Sequence, residues 1–261
     1  MNSLTWLVLI AFLHTNGSFL GTEYELVDSW YVDNFEVYEI KEKDESVENE
    51  NNFPKDVIVE SLEYLNSEID VVFDEPIPIV LVNKKYIKTD NEGKKETRLG
   101  EVKNGIVFIF RDDYKRWIYK DENNKERLLK SNYNKTLLHE VGHILQSELL
   151  NNKVINKYKK ERIKVETELE EKKLKVIENN QYMDWGLRPD EVFSEDFSAL
   201  FSKRKWRLSY NQTKYPYLTR QKANYWKEKI IKYLRENYER NDNDETTICA
   251  KRRIYQGFLE K

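Results

Sequence analysis

The chain contains 261 residues, of which 35% are charged, 39% are hydrophobic and 13% are aromatic. This length suits one large domain or two small ones, and the aromatic content argues against intrinsic disorder. The formal net charge of −3 lacks the basic excess of a nucleic-acid-binding protein, and the single cysteine, Cys249, excludes an internal disulfide framework.

The N-terminus has the features of a signal peptide. Residues 4–13 form an apolar run broken only by Thr5, and small and polar residues follow at 16–18. The run is too short to span a bilayer but suits the apolar region of a signal peptide. We therefore predict a signal peptide at 1–21, secretion and no transmembrane segment. No Lys or Arg precedes the run, so the alternative is a buried N-terminal strand or helix.

Residues 22–53 are predicted to be an N-terminal extension of the domain. Apolar residues alternate in its first half, as in a strand, and the acidic stretch 41–52 is predicted to be an exposed loop. Pro54 then begins a predicted helix, because proline is favoured at the first helical position. The apolar face of this helix consists of Ile58, Leu62 and Leu65.

Two hairpins are predicted next. The first joins residues 94–102 to 106–110 across Asn104-Gly105, a strong short-range hairpin signal. The second joins residues 117–120 to 126–129 across a polar turn.

Two short apolar runs, Pro78–Val82 and Ile106–Phe110, predict strands. The continuous apolar character of Ile106–Phe110 indicates a buried central strand. A role of this hairpin in peptide binding is compatible with a buried central strand. In that interpretation, residues 99–102 form an open sheet edge with which an extended peptide can pair.

Two of the three histidines lie four positions apart in the sequence His139-Glu140-Val141-Gly142-His143. In a helix, residues i and i+4 lie on one face, so both imidazoles project in the same direction and can bind one metal ion. Glu140 lies beside them, where it can take a proton from a water molecule at the metal. This is the H-E-x-x-H pattern of zinc peptidases, and the alternative is a helix with two incidental histidines.

The surrounding sequence favours a helix for this motif. Asn132 or Asn134 is a preferred residue type for the N-cap. Gly142 costs a helix about 1 kcal/mol relative to alanine, which indicates that another segment or a substrate approaches the helix closely there. Apolar residues recur at three- and four-residue spacing and predict a buried face: Leu137, Leu138, Val141, Ile144, Leu145 and Leu149.

Residues 152–180 are almost entirely of mixed charge. The pairs Glu168–Lys172 and Glu171–Lys175 have the favourable i,i+4 order, so we predict a solvated, charged helical arm. A coiled-coil partner site is the alternative, although a sustained heptad pattern is absent.

Two further helices are predicted. The first starts at residues 188–191, where proline and acidic residues favour a helix N-terminus, and its apolar face consists of Phe193, Phe197, Leu200 and Phe201. The second spans Lys222–Tyr238, with Tyr225, Ile230 and Leu234 packing inward.

Two histidines do not complete a catalytic zinc site, since three protein ligands and a water molecule are usual. His14 lies in the predicted signal peptide, so we expect a carboxylate as the third ligand. Glu191 lies on an amphipathic helix that can pack rigidly against the metal helix. Glu195, one turn further on, can accept a hydrogen bond from a ligand imidazole. The alternative is an ordinary polar face at both positions. Other candidate ligands lie in the arm: Glu166, Glu168, Glu170 and Glu171.

The two motifs His139-Glu-Val-Gly-His143 and Glu191-Val-Phe-Ser-Glu195 together resemble the catalytic domain of the anthrax lethal factor type of zinc metallopeptidase and the related Pro-Pro endopeptidases. The resemblance extends over roughly residues 54–238 and implies a zincin-like α+β fold for the domain that we predict at 54–261, with a small mixed or antiparallel sheet packed on a mainly helical domain. It also implies His139, His143 and Glu191 as zinc ligands, Glu140 as the general base and Glu195 as a supporting acid.

Enzymes of this family also carry a tyrosine before the ligand glutamate that stabilises the oxyanion. The resemblance implies this role for Tyr182, the nearest candidate upstream of Glu191. The alternative is that Tyr182 packs beside Trp185.

We therefore expect a secreted, toxin-like zinc endopeptidase with Zn²⁺ as its cofactor. It would act as a monomer on a protein or peptide substrate and bind no nucleic acid. Two alternatives stay open: a catalytically inactive, peptide-binding relative, and an interaction protein that uses residues 152–180.

Overall fold

The computed structural model describes residues 24–42, 53–69, 73, 76–89, 93, 95–111, 122–149, 153–158, 160, 189–203 and 220–242. Several predicted features lie outside these residues: the signal peptide at 1–21, nearly all of the acidic loop, residues 117–120 of the second hairpin, residues 161–180 of the arm, and Tyr182. The described part has an α+β fold, as predicted, with a five-stranded mixed sheet and helices.

The strands fall into two sheets. In chain order they are β1 (Tyr24–Val32), β2 (Phe35–Glu42), β3 (Ile77–Val82), β4 (Tyr86–Thr89), β5 (Lys95–Arg98), β6 (Gly100–Lys103) and β7 (Ile106–Phe110). The larger sheet has the order β1-β2-β3-β7-β6, and its outer pairs are antiparallel whereas β3 runs parallel to both of its neighbours. Strands β4 and β5 form a separate two-stranded ribbon, which the sequence analysis did not predict.

The turn at Asn104-Gly105 is confirmed, with residues 100–103 paired to β7, but residues 95–98 of the predicted first strand pair with β4 instead. Lys103 pairs with Ile106, and Asn104 and Gly105 have φ angles of 52° and 77°, the left-handed conformations that a type I′ turn requires. Strand β7 is buried throughout and lies between β3 and β6, so it is the predicted central strand. Strand β6 lies at an edge of the sheet as the described strands define it.

Strands β1 and β2 come from residues 22–53. Strand β2 pairs in parallel with β3, with Phe35 opposite Ile77, and both Phe35 and Val37 are fully buried. This stretch therefore contributes two strands to the same sheet as β3.

Among the described residues, four long helices pack with the sheet, and residues 153–158 are also helical. The four are α1 (Lys55–Ile69), α2 (Glu122–Leu149), α3 (Pro189–Phe201) and α4 (Arg220–Asp242). Helix α1 begins directly after Pro54, and its predicted apolar face is buried. One core cluster joins the four helices to one face of the sheet, and a smaller cluster lies on the other face. Residues of β7 alternate between the two clusters. Val107 and Ile109 belong to the cluster on the helical side, and Phe108 and Phe110 belong to the cluster on the other face.

Helix α2 begins much earlier than predicted. The second predicted hairpin is wrong, because residues 126–129 are helical; residues 117–120 lie outside the described part. Both predicted N-caps are also wrong, since Asn132 and Asn134 lie inside the helix. Asn134 is buried and is satisfied by neighbouring elements instead: its amide donates to Ser202 Oγ at 2.6 Å, and Ser61 Oγ donates to its carbonyl oxygen at 2.7 Å.

The start of the predicted arm is more buried than expected. Residues 153–158 are helical, and Ile155 and Tyr158 lie in the core, where the Tyr158 hydroxyl donates to Asp196 at 2.8 Å. In α4, Ile230 and Leu234 are buried as predicted, but Tyr225 is 48% exposed and its neighbour Trp226 takes the buried position. No helix among the described residues is long and apolar enough to cross a membrane.

Candidate metal centre

Helix α2 places the two motif histidines at the edge of the helical core. The predicted apolar face is buried at each position whose side chain is described, namely Leu137, Leu138, Val141, Ile144 and Leu145. His139 lies beside this face with a side chain only 8% exposed, whereas the His143 side chain is 20% exposed. Solvent therefore reaches the histidine pair from the His143 side.

Glu191 on α3 faces both imidazoles. Its Oε2 atom lies 3.3 Å from His139 Nε2 and 3.4 Å from His143 Nε2, and the two Nε2 atoms are 3.0 Å apart. The three atoms thus form a nearly equilateral triangle, and these residues are the candidate metal-binding group found among the described residues.

The triangle fits a zinc ion. Zinc binds nitrogen and carboxylate oxygen at about 2.0–2.1 Å in a tetrahedron, which separates neighbouring ligand atoms by about 3.3 Å. Two ring nitrogens only 3.0 Å apart also need a proton or a cation near them, since their lone pairs repel each other. The Glu191 Oε2 atom is buried and accepts no hydrogen bond of good geometry from the described part of the chain, as expected of an atom that binds a cation. The geometry fits a divalent metal without identifying which one.

Gly142 explains how α3 comes so close. A Cβ atom at this position would lie 3.2 Å from Ser194 Cα and 3.3 Å from Phe197 Cβ. A side chain here would be in tight contact with α3, which would have to move by a few tenths of an ångström, so glycine favours the close approach that its place between the histidines predicted. The segment that approaches is α3, which carries Glu191 and Glu195.

Glu195 lies one turn after Glu191 and contacts the other nitrogen of His139. Its Oε1 atom is 3.3 Å from His139 Nδ1, and its Oε2 atom is 3.0 Å from Lys135 Nζ. A carboxylate that accepts from Nδ1–H fixes the imidazole tautomer and leaves the Nε2 lone pair directed at the metal position. The structure places Glu195 within 3.3 Å of this nitrogen, and the predicted hydrogen bond stays a prediction.

The charges at the site favour a cation between the helices. Burial opposes protonation of His139, but its close contacts with the Glu191 and Glu195 carboxylates outweigh it and raise the His139 pKa to about 9. Burial also opposes ionisation of Glu191, yet its contacts with both imidazoles lower its pKa to about 2. The pKa of Glu195 is lowered as well, since His139 and Lys135 outweigh its loss of hydration. Both carboxylates are therefore ionised at neutral pH, and a proton or a metal ion can supply the compensating positive charge.

Glu140 lies between α2 and the edge strand β6. A Cβ atom on Gly100 would lie 2.6 Å from Glu140 Cγ and 2.7 Å from Glu140 Oε1, so the glutamate occupies the space that the missing side chain leaves. Burial raises the pKa of Glu140 above its usual value, which makes its carboxylate a better proton acceptor. Glu140 is therefore a buried carboxylate close to both histidines with an increased affinity for a proton.

The structure brings together His139, His143, Glu191 and Glu195 and places Glu140 beside them. Tyr182 lies outside the described residues. Two residues that contact the predicted site residues, Lys135 and Gly100, were not predicted from the sequence. Lys135 could have been found, because it lies one helical turn before His139 on the same helix face. Gly100 gave no local signal, since its role depends on a contact with a residue forty positions away.

Comparisons with known proteins do not identify a family. No protein-family model, curated protein or solved structure matches the chain. The likeness to the lethal factor type is therefore carried by the two sequence motifs alone.

Proposed function

We propose that this chain is a zincin-like zinc endopeptidase that hydrolyses peptide bonds of a protein or peptide substrate. The observation that carries the proposal is the triangle of His139, His143 and Glu191 beside a buried Glu140. A structural zinc site is usually closed by four protein ligands, whereas a catalytic site keeps a position for water. Three described ligand atoms, with His143 partly exposed to solvent, match the catalytic type.

The ligand residues would hold the ion through two neutral imidazoles and one carboxylate. When bound there, zinc would supply a Lewis acid that acidifies water and polarises a carbonyl group. Glu195 would orient His139 through Nδ1, and Glu140 would accept the proton of the attacking water at its carboxylate and deliver it to the leaving amine.

Strand β6 offers a place for the substrate backbone. It lies at the sheet edge in the described part of the chain, and Gly100 on this strand touches Glu140. A peptide that pairs with β6 through main-chain hydrogen bonds would therefore pass the proposed base. Secretion and a toxin-like role belong to the same proposal and are supported by the sequence of residues 1–21 and by the motif resemblance.

A peptide-library digest tests the proposal. We expect the wild-type protein to cleave peptides, a chelator to abolish cleavage, and zinc to restore it. Glu140→Gln should bind zinc as the wild type does but lose at least about 10²-fold in cleavage rate, because general base catalysis contributes this much or more. Zinc binding without cleavage of any peptide would favour the inactive, peptide-binding alternative. A Glu140→Gln variant as active as the wild type would refute the role of Glu140.

A further inference from the structure

Helices α2 and α3 meet through two interleaved rows of polar side chains. On α2 the row is Lys135, His139 and His143, and on α3 it is Glu191 and Glu195, each row spaced by one helical turn. Glu191 lies between the two histidines, and Glu195 lies between Lys135 and His139. Residue numbers increase along α2 in the direction in which they decrease along α3, so the two helices run antiparallel here.

Glu195 uses its two oxygen atoms for different partners. Oε2 lies 3.0 Å from Lys135 Nζ, and Oε1 lies 3.3 Å from His139 Nδ1. A carboxylate side chain can rotate about its last bonds, so the contact with His139 alone does not fix its orientation. Lys135 holds the second oxygen, and the two contacts together restrict this rotation and keep Oε1 facing the imidazole.

The surroundings of this ion pair differ from those of a surface pair. The Glu195 side chain is 10% exposed and the Lys135 side chain is 37% exposed, so water screens the pair from the lysine side and poorly from the carboxylate side. Lys130, on the same helix, pairs with Asp56 and Glu126, whose side chains are 56% and 65% exposed. Exposed pairs of that kind contribute little to any structure.

We propose that Lys135 is a positioning residue of the metal centre: by binding Glu195 Oε2 it directs Glu195 Oε1 to His139 Nδ1 and holds the His139 ring in the orientation and tautomer that metal binding requires. This inference takes the metal site from the proposed function. It adds Lys135 to Glu195 as a second residue that orients the ligand His139. In this role Lys135 touches neither the metal position nor Glu140.

Zinc affinity of the full-length protein, measured by competition with a chromogenic chelator, tests the inference. Residues that orient a metal ligand contribute about 10–100-fold to affinity, and we expect Lys135→Met to weaken zinc binding about tenfold, at the lower end of that range. Lys135→Arg keeps the charge and the donors, so it should retain most of the affinity. The matched control Lys130→Met removes an ion pair from the same helix and should leave affinity within about twofold of the wild type.

A double-mutant cycle separates positioning from a general structural effect. If Lys135 acts through Glu195, Lys135→Met should cost about tenfold in the wild type but less than about twofold in a Glu195→Ala background. An equal loss in both backgrounds, or no loss in the wild-type background, would overturn the inference. Thermal unfolding in excess chelator checks that each variant folds, and Lys135→Gln replaces Lys135→Met if the latter does not.

The inference and the proposed function fail in different ways. If the wild type binds zinc with this pattern of affinities but cleaves no peptide, the peptidase proposal fails and the role of Lys135 stands. If peptides are cleaved but Lys135→Met binds zinc as tightly as the wild type, the inference fails and the peptidase proposal stands. If the wild type binds no zinc, the shared metal site is wrong and both fall.

Discussion

Replacing Gly100 with alanine should disable the proposed base without removing the metal. The added Cβ would lie 2.6 Å from Glu140 Cγ, 2.7 Å from Glu140 Oε1 and 2.7 Å from Thr136 Cγ2. Carbon atoms in contact are usually about 3.5–4.0 Å apart, so one of these groups must move by about 1 Å. Thr136 lies on the same helix as Glu140, and the Glu140 side chain is the more flexible of the two, so we expect the glutamate to be displaced.

A displacement of about 1 Å at a reacting group can cost 10²-fold in rate, which is about 2.7 kcal/mol of transition-state stabilisation. We therefore expect Gly100→Ala to lower kcat/KM on a cleaved peptide about 10²-fold while zinc affinity stays unchanged, because none of the three ligand side chains is among the nearest contacts of the new atom. Val102→Ala, which alters the same strand without adding an atom against Glu140, serves as the control and should retain activity. Unchanged cleavage by Gly100→Ala would refute the position or the role that we assign to Glu140.

Two further predictions concern the contact between α2 and α3. Gly142→Ala gains about 1 kcal/mol of helix propensity but places its Cβ 3.2 Å from Ser194 Cα, and overpacking of this kind costs about 1–3 kcal/mol. We expect the helices to separate slightly and zinc affinity to fall, as chelator competition will show; unchanged affinity would contradict the close approach described here. The second prediction is a pH dependence of the metal-free protein. The pKa of His139 is raised from 6.5 to about 9, so its contribution to stability is complete below about pH 6.5 and lost as the pH rises through 9, a change of about 3 kcal/mol at most. Urea unfolding in chelator, with His139→Gln as the control, should show this loss in the wild type only; parallel curves for the two proteins would contradict it.

The sequence was most informative where local spacing decides the structure. The i,i+4 spacing of His139 and His143, and of Glu191 and Glu195, predicted two helices that each present a pair of polar groups on one face. Gly142 predicted that another segment approaches the helix closely, and this reason is also local. Glycine destabilises a helix and is rarely found inside one unless close packing requires it.

The sequence was less informative where distant contacts decide. The start of α2 was misplaced because Asn134 resembles an N-cap, whereas its amide is satisfied by Ser61 and Ser202 on other elements. Tyr158 lies in a highly charged segment but packs in the core through contacts with α3 and α4. The spacing of residues along the chain does not predict these contacts, because the partners lie tens of residues apart in the sequence.

The convergence of α2 and α3 on one metal ion is tested most directly by metal analysis of the purified full-length chain. We predict about one zinc per chain in the wild type and at least about tenfold weaker binding for Glu191→Ala. Glu228→Ala, a change at an exposed position of α4 that is not in the candidate metal-binding group, should bind zinc as the wild type does. A wild-type protein that takes up no zinc, or a Glu191→Ala variant that binds it as tightly as the wild type, would contradict the proposed metal centre.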